Sequence, residues 1–256
     1  MKGKFPKISI IVNCHNGEKY LKKNILSIKR QTYKNWELIF YDNCSSDNSL
    51  KIVKKFKDKR IRVFKSNSFL SLYEARNRAI SKSKGLYVAF LDTDDTWKPE
   101  KLSIQIKYIL KKKLKICFTN YFIKKMKGKL ILRARENITQ VDTQNLLNNY
   151  NLGILTALIH KSIFLKKKFN KKLNIIGDFD FFIELSMSHD IGFINKPLAT
   201  YRVHSNSLST TNRKIYIQEL KNWIYMKEKK FRKLNLDLKM QKQILLKLKI
   251  KNFLKI

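Results

Sequence analysis

Residues 86–97 read Leu-Tyr-Val-Ala-Phe-Leu-Asp-Thr-Asp-Asp-Thr-Trp, and they decide the fold. Leu86 to Leu91 is an unbroken apolar run, too short for a buried helix and of the right length for a strand covered on both faces. It discharges into Asp92, Asp94 and Asp95, three carboxylates within four positions, each raising the cost of ionising the next. The chain can ill spare them: it has 56 Lys and Arg against 19 Asp and Glu, a formal net charge of +37. A buried strand ending in acids is what an open parallel sheet offers a ligand, because loops and helix N-termini converge beyond the carboxyl ends of such strands.

Upstream of this stretch the chain alternates short β-branched runs with amphipathic segments, the pattern of βα units feeding a mostly parallel sheet flanked by helices. Strands are predicted at Ile8–Asn13, Glu37–Tyr41, Ile61–Phe64 and Leu86–Leu91. Helices are predicted at Glu18–Arg30, around Leu50, Val53 and Phe56 with Asp47 able to cap it, and at Tyr73–Ser83 with Gly85 as its stop. Pro99 opens a further helix whose buried face is read as Leu102, Ile106, Ile109 and Leu110. Beyond it the pattern loosens into strands at Ile116–Thr119, Leu130–Leu132, Leu155–Ile159 and Leu198–Val203, with a helix from Asp178 to Ser188. From Arg213 the chain is helical and basic, its acids being Glu219, Glu228 and Asp237.

The 256 residues, 43% of them apolar, suffice for one sizeable α/β domain. Ile8 to Val12 is too short for a signal-peptide core and lacks a cleavage site after it, and no stretch approaches the roughly 20 apolar residues of a membrane span, so a cytoplasmic protein is expected. Cys14, Cys44 and Cys117 lack metal-site spacing and are read as reduced thiols. The lysines are spread over every segment, with no RNP-like aromatic motif, zinc-finger spacing or basic arm, which argues for a solvated surface and no specific nucleic-acid partner.

Three polar clusters, Cys14–Gly17, Asp42–Asp47 and Asp92–Asp95, fall at predicted strand ends and can share one crevice. Carboxylates so crowded are stabilised when a hard divalent cation, Mn²⁺ or Mg²⁺, and its phosphate ligand complete the site.

The linked motifs Ile8–Leu21, Gln31-Thr32-Tyr33, Tyr41–Asp47, Ala75-Arg76-Asn77 and Gly85–Asp95 resemble, in order, those of the family 2 glycosyltransferases of GT-A fold. The resemblance implies transfer of a sugar, with inversion, from a nucleotide-diphosphate donor to an acceptor hydroxyl. Bacterial surface polysaccharide or lipopolysaccharide synthesis is the implied setting, with a glycan or lipid-linked glycan as acceptor. It further implies that Ser9, Val12 and Asn13 frame the nucleoside and that Asp42 contacts the base. Asp92 would lie near the ribose and donor sugar, Thr93 belongs to the same donor-binding set, and Asp94 is the metal ligand that Asp95 replaces or assists. Gly177-Asp178-Phe179-Asp180 matches the family's helix-opening acidic pattern except at Gly177, making Asp178 the expected catalytic base and Asp180 a group that either orients it or is simply solvated. The segment Tyr201–Ser207 resembles a late Arg-x-His that folds over the diphosphate, Arg202 binding donor and His204 either completing the metal shell or bonding a phosphate. Arg76 either contacts the diphosphate or pairs with an acid of the cluster, and His15, His160 and His189 are read as structural. Asn43 and Cys44 stand where many relatives have Asp and Gly, and the Gln-x-x-Arg-Trp motif of processive members is absent, which favours single sugar additions.

The expected organisation is a catalytic domain over 1–212, its nucleotide-binding half 1–112 and acceptor-binding half 113–212, followed by a basic amphipathic tail over 213–256. That tail either lies on an anionic membrane, placing the enzyme peripherally on the inner face of the cytoplasmic membrane, or packs on the catalytic domain as a helical pair. Two other functions fit parts of the sequence. Phe90–Thr96 also reads as the strand and DxDxT of a haloacid-dehalogenase-type phosphatase with Asp92 as nucleophile. A non-enzymatic basic module binding polyanions would account for the charge alone.

Overall fold

The structure, a computed structural model, describes residues 5–125, 129–133, 140–204 and 212–254. Its first half is built from four parallel strands, β1 (Ile8–Cys14), β2 (Trp36–Asp42), β3 (Ile61–Lys65) and β4 (Tyr87–Phe90). They are joined over the sheet faces by α1 (Glu18–Lys29), α2 (Ser49–Lys55) and α3 (Leu72–Ser81). After the short β5 (Thr96–Trp97), α4 (Lys101–Lys112) leads into β6 (Ile116–Lys124), β7 (Ile131–Arg133) and β8 (Gln140–Val141). Then follow α5 (Thr143–Asn148), a 3₁₀ turn at Ile154–Thr156, β9 (Leu158–His160), α6 (Ser162–Lys166), α7 (Gly177–Ser186) and β10 (Ile191–Arg202). Two helices, α8 (Arg213–Lys233) and α9 (Lys239–Phe253), close the described chain.

The sheet order is β3-β2-β1-β4-β9-β6-β10-β5, with β7 on β6 and β8 on β10. Parallel pairing runs from β3 to β4 and recurs between β6 and β10, while β9 inserts antiparallel to both its neighbours. The sheet is therefore mixed on its far side, which the short apolar run at Leu155–Ile159 could not show, since a three-residue strand reads alike in either direction.

Two cores flank the sheet, and alternation along β1 assigns its residues to them. Ile8, Ile10 and Val12 pack with Leu21, Ile25 and Ile28 of α1 and Leu102, Ile106 and Ile109 of α4. Ile11 turns to the opposite face, where Phe90, Phe118, α3, α7 and α8 supply the partners. Leu110, expected on the buried face of α4, is exposed, because the core side of that helix is filled by Gln105 and the buried Lys101 instead. Gly85 does not stop α3; Lys82 caps it. Glycine is required at 85 by close approach, since a Cβ there would lie 2.6 Å from the Ser9 amide nitrogen.

Candidate active site

The carboxyl ends of β1, β2 and β4 meet at one edge of the parallel half: Cys14 is in register with Asp42, and Leu91 donates its amide to the Ile11 carbonyl at 3.0 Å. The loops that follow are tied together by side chains. Asp47 accepts the amides of Glu18 and Ser49, both at 2.9 Å, the Asn16 Oδ1 accepts the Ser46 amide at 2.8 Å, and the Ser49 hydroxyl accepts the Gly17 amide at 2.9 Å. Gly17 has to be small: a Cβ would lie 2.9 Å from the Cys14 sulfur and 3.1 Å from Thr93.

Beside these loops opens a cleft of about 760 Å³. It brings together Asn13, Arg76, Asp92, Thr93, Asp94, Asp95, Asp178 and His204 from the sequence-predicted set. Four other predicted residues do not line it. Ser9 shares a face of β1 with Asn13 but sits four residues upstream, about 13 Å along the strand. It is fully buried, its hydroxyl donating to Glu37 Oε1 at 2.7 Å and accepting the Gly85 amide at 2.8 Å, so it ties strands together and has no path to a ligand. Val12 points into the α1–α4 core by alternation and is equally inaccessible. Asp42 is buried at the end of β2, one oxygen accepting the Ser45 amide at 3.2 Å and the other without a partner among the described residues. Arg202 binds the acid cluster from behind: its amide donates to Asp95 Oδ1 at 2.8 Å, its Nε donates to the Asp94 carbonyl at 3.1 Å, and its guanidinium lies 4.9 Å from the Tyr20 ring centroid. Ser205 to Ser207, the end of the Arg-x-His segment, lie outside the described residues.

Each acid of the cluster is held differently. Asp92 receives Nη2 of the buried Arg76 on both oxygens, at 2.7 and 2.9 Å, so Arg76 pairs with the cluster while also facing the cleft. Burial would depress the guanidinium's pKa, yet Asp92 outweighs it and Arg76 stays charged. Asp94 Oδ2 is 2.9 Å from His204 Nε2, and the imidazole stacks on Tyr20 at 5.5 Å between centroids. Burial, reinforced by Asp92, pushes the Asp94 carboxyl above the usual carboxylate range. Asp95 is pushed further in the same direction by burial and then by Asp94 and Asp92, and its Oδ2 has no hydrogen-bond partner among the described residues.

Asp178 enters from the opposite wall, in the first turn of α7. Its Oδ1 accepts the Phe179 amide at 2.8 Å and, at 3.3 Å, shares the Tyr73 hydroxyl proton with the Ile175 carbonyl at 3.1 Å, while Oδ2 has no partner among the described residues. Burial raises its pKa against the attraction of Arg76. Gly177, where the family pattern has Glu, is explained by packing: a Cβ there would lie 2.4 Å from the Tyr73 ring. Asp180 neither orients Asp178 nor faces water. It is buried against α8, accepting Trp223 Nε1 at 2.9 Å and lying 3.3 Å from Lys227 Nζ.

Sequence reasoning missed Tyr73, Tyr20, Tyr121, Tyr201 and the 152–155 lip, all of which line the cleft. Tyr20 and Tyr201 stand within the quoted motifs Ile8–Leu21 and Tyr201–Ser207 but were given no role there. The lip is apolar and gives no chemical signal; it is fixed by Trp97, whose Nε1 donates to the Leu155 carbonyl at 2.8 Å. Among the described residues no three His, Cys, Asp or Glu side chains form a ready metal-ligand group. Asp94 and His204 nonetheless offer an oxygen and an imidazole nitrogen side by side, with the unpartnered Asp95 Oδ2 in the same cluster. Two protein donors suffice for a cation whose remaining ligands are phosphate oxygens and water.

A parallel first half, a mixed second half and acids gathered beyond the carboxyl end of β4 define the GT-A class of α/β protein. The chain belongs to glycosyl transferase family 2, whose pattern its residues 9–174 match. It is 32% identical over 213 residues, 79% of each chain, to the UDP-Glc:alpha-D-GlcNAc-diphosphoundecaprenol beta-1,3-glucosyltransferase WfgD of Escherichia coli. Among solved structures it is similar to S. aureus TarS 1-349 in complex with UDP-GlcNAc, with a TM-score of 0.70 at 19% identity, covering 94% of this chain and 71% of that one. The mannosyltransferase PcManGT of Pyrobaculum calidifontis, in complex with GDP-Man and Mn²⁺, matches with a TM-score of 0.65 at 14% identity over 90% of this chain and 65% of that one.

Proposed function

We propose that this glycosyltransferase moves one sugar, with inversion, from a nucleoside diphosphate donor to a hydroxyl of a lipid-linked glycan. The observation that supports it most is the meeting, across one cleft, of the Asp92–Asp94–His204 cluster at the strand ends and Asp178 at the helix start. The similarity to WfgD, which by its name uses UDP-Glc and a diphosphoundecaprenol-linked acceptor, supports the acceptor class and makes UDP-sugars the first donors to try.

In this reading Asn13, at the end of β1, takes the nucleoside, and Arg76 holds Asp92 in place beside the donor through bonds to both of its oxygens. A divalent cation, Mn²⁺ or Mg²⁺, held by Asp94 and His204 with Asp95 behind them, would neutralise charge on the diphosphate as it leaves. Asp178 takes the acceptor's hydroxyl proton while that oxygen bonds to the anomeric carbon and the sugar–phosphate bond breaks on the opposite face, its electron pair departing with the diphosphate. The raised pKa of Asp178 suits this task, since a base poised nearer the working pH accepts the proton more readily. Tyr73, donating to Oδ1, leaves Oδ2 as the proton acceptor.

Family membership answers the phosphatase alternative. The test is Asp178→Asn, expected to lower turnover by about 10²–10⁴-fold while leaving Mn²⁺-dependent thermal stabilisation by the UDP-sugar donor unchanged. Full turnover in that variant would remove Asp178 from the mechanism.

A further inference from the structure

The last helix has two apolar faces where packing needs one. The inner face of α9 places Ile244, Leu245 and Leu248 against the core, with Gln241 buried beside them. Its outer face presents Leu246, Ile250 and Phe253, spaced four and three residues apart and 58%, 49% and 86% exposed, with exposed Leu254 adjoining. At 100° per residue Lys242 and Lys249 fall along one flank of this stripe, Lys247 along the other, and Lys239 lies on the line of the stripe at the start of the helix. The helix contains five lysines and no acid. Lys242 pairs with Glu228 of α8 at 2.6 Å, so one flank is partly neutralised and the other is not.

An apolar stripe between cationic flanks suits a partner that is apolar and anionic at once. A second copy of this chain does not fit: a two-fold pairing of the stripe would set lysine flank against lysine flank. We infer that the outward face of α9 docks on an anionic lipid bilayer, with Leu246, Ile250 and Phe253 entering the headgroup–acyl boundary and the flanking lysines meeting lipid phosphates. No helix among the described residues is long and apolar enough to cross a membrane, so the contact is interfacial.

The experiment is co-flotation of the whole chain with vesicles of phosphatidylcholine alone and of phosphatidylcholine mixed with phosphatidylglycerol. It needs neither donor nor acceptor, so its outcome is independent of the transferase reading. The wild-type chain is expected to bind the mixed vesicles, in a salt-sensitive way, and not the neutral ones. Ile250→Ser/Phe253→Ser should lower the bound fraction's partition coefficient by about tenfold or more. Lys247→Gln/Lys249→Gln should lower it severalfold while keeping the residual binding salt-sensitive. All four substitutions lie on the solvent face, and unchanged circular dichroism and melting will show the fold intact. Equal binding to neutral vesicles, unchanged binding by the serine variant, or a dimer in light scattering that the serine variant abolishes would each overturn the inference.

Discussion

Glu219 tests whether α8 helps to place the candidate base. This carboxylate is buried on α8 and accepts three consecutive amides, Asn174 at 2.6 Å, Ile175 at 3.0 Å and Ile176 at 3.2 Å, directly before Gly177 and Asp178. Hydrogen bonds to a charged acceptor contribute about 1.5–3 kcal/mol each, but these share one carboxylate and two of the amides are only partly buried, so about 3 kcal/mol for the group is a fair figure. Glu219→Ala should therefore destabilise the fold by about 3 kcal/mol and free the segment that sets the first turn of α7. A displacement of about 1 Å at a reacting group costs on the order of 10²-fold in rate, so kcat should fall tenfold to a hundredfold. Donor affinity should not change, because in the proposed function the donor is held by Asn13, Arg76 and the Asp92–Asp95 cluster, on other elements. Glu219→Gln keeps one carbonyl acceptor and should recover roughly half of both losses. The assays are chemical denaturation, calorimetric binding of the nucleoside diphosphate, and transfer to a soluble acceptor with kcat and acceptor KM resolved separately. Glu219→Ala with a lowered melting temperature but a wild-type kcat below that temperature would refute the positioning role.

Arg76→Met should weaken donor binding and lower stability by about 2–3 kcal/mol, because Asp92 loses the partner of both its oxygens; calorimetry and urea unfolding read the two effects. Gly177→Ala pushes a methyl into the Tyr73 ring and should cost about 1–3 kcal/mol, lowering kcat as Tyr73 shifts off Asp178. Lys101 is fully buried under the Trp97 ring, at 4.1 Å, with Gln105 Oε1 accepting its proton at 2.6 Å, and burial pulls its pKa down to about 7. The unfolded chain holds this proton to a pKa near 10.4, so it binds more protons than the fold between the two values and stability rises with pH across that window. Lys101→Met should accordingly be more stable than wild type by up to about 4 kcal/mol at neutral pH, with the gap closing by about 2 kcal/mol two pH units higher, as measured by urea unfolding.

Most of the parallel half was legible, because β1, β2 and β4 are continuous apolar runs ending in polar turns, and burial on both faces writes that pattern directly. The acids of the cleft were legible for the same reason: Asp92, Asp94 and Asp95 follow β4 without a break. What escaped were contacts between distant segments. Tyr73 meets Asp178 across 105 residues, and Glu219 meets the 174–176 backbone across more than 40; neither pair leaves a periodic trace in the chain. Asp180 shows the converse error. Two residues past a candidate base it looks functional in sequence, yet the helical turn of α7 points it away from the cleft into Trp223. The tail was underread too, since Trp223, Leu220 and Phe231 bury one face of α8 in the main core.

If the proposed function holds, the placement of charge gives the cleft its selectivity. A protein of net charge +37 would be expected to attract any polyanion, yet Lys19 and Arg76 are the Lys and Arg residues lining the cleft among the described residues, against Asp92, Asp94, Asp95 and Asp178. Arg76 is already spent on Asp92. A bare phosphate chain therefore meets a field that draws it to the protein and a mouth that repels it. An anion that arrives with a divalent cation meets the reverse: the cation relieves the repulsion that burial and crowding impose on Asp94 and Asp95. On that proposal the global charge sets how often a donor reaches the surface, and the local acids set which donors stay. Salt should slow association without weakening discrimination, whereas Asp94→Ala should do the opposite.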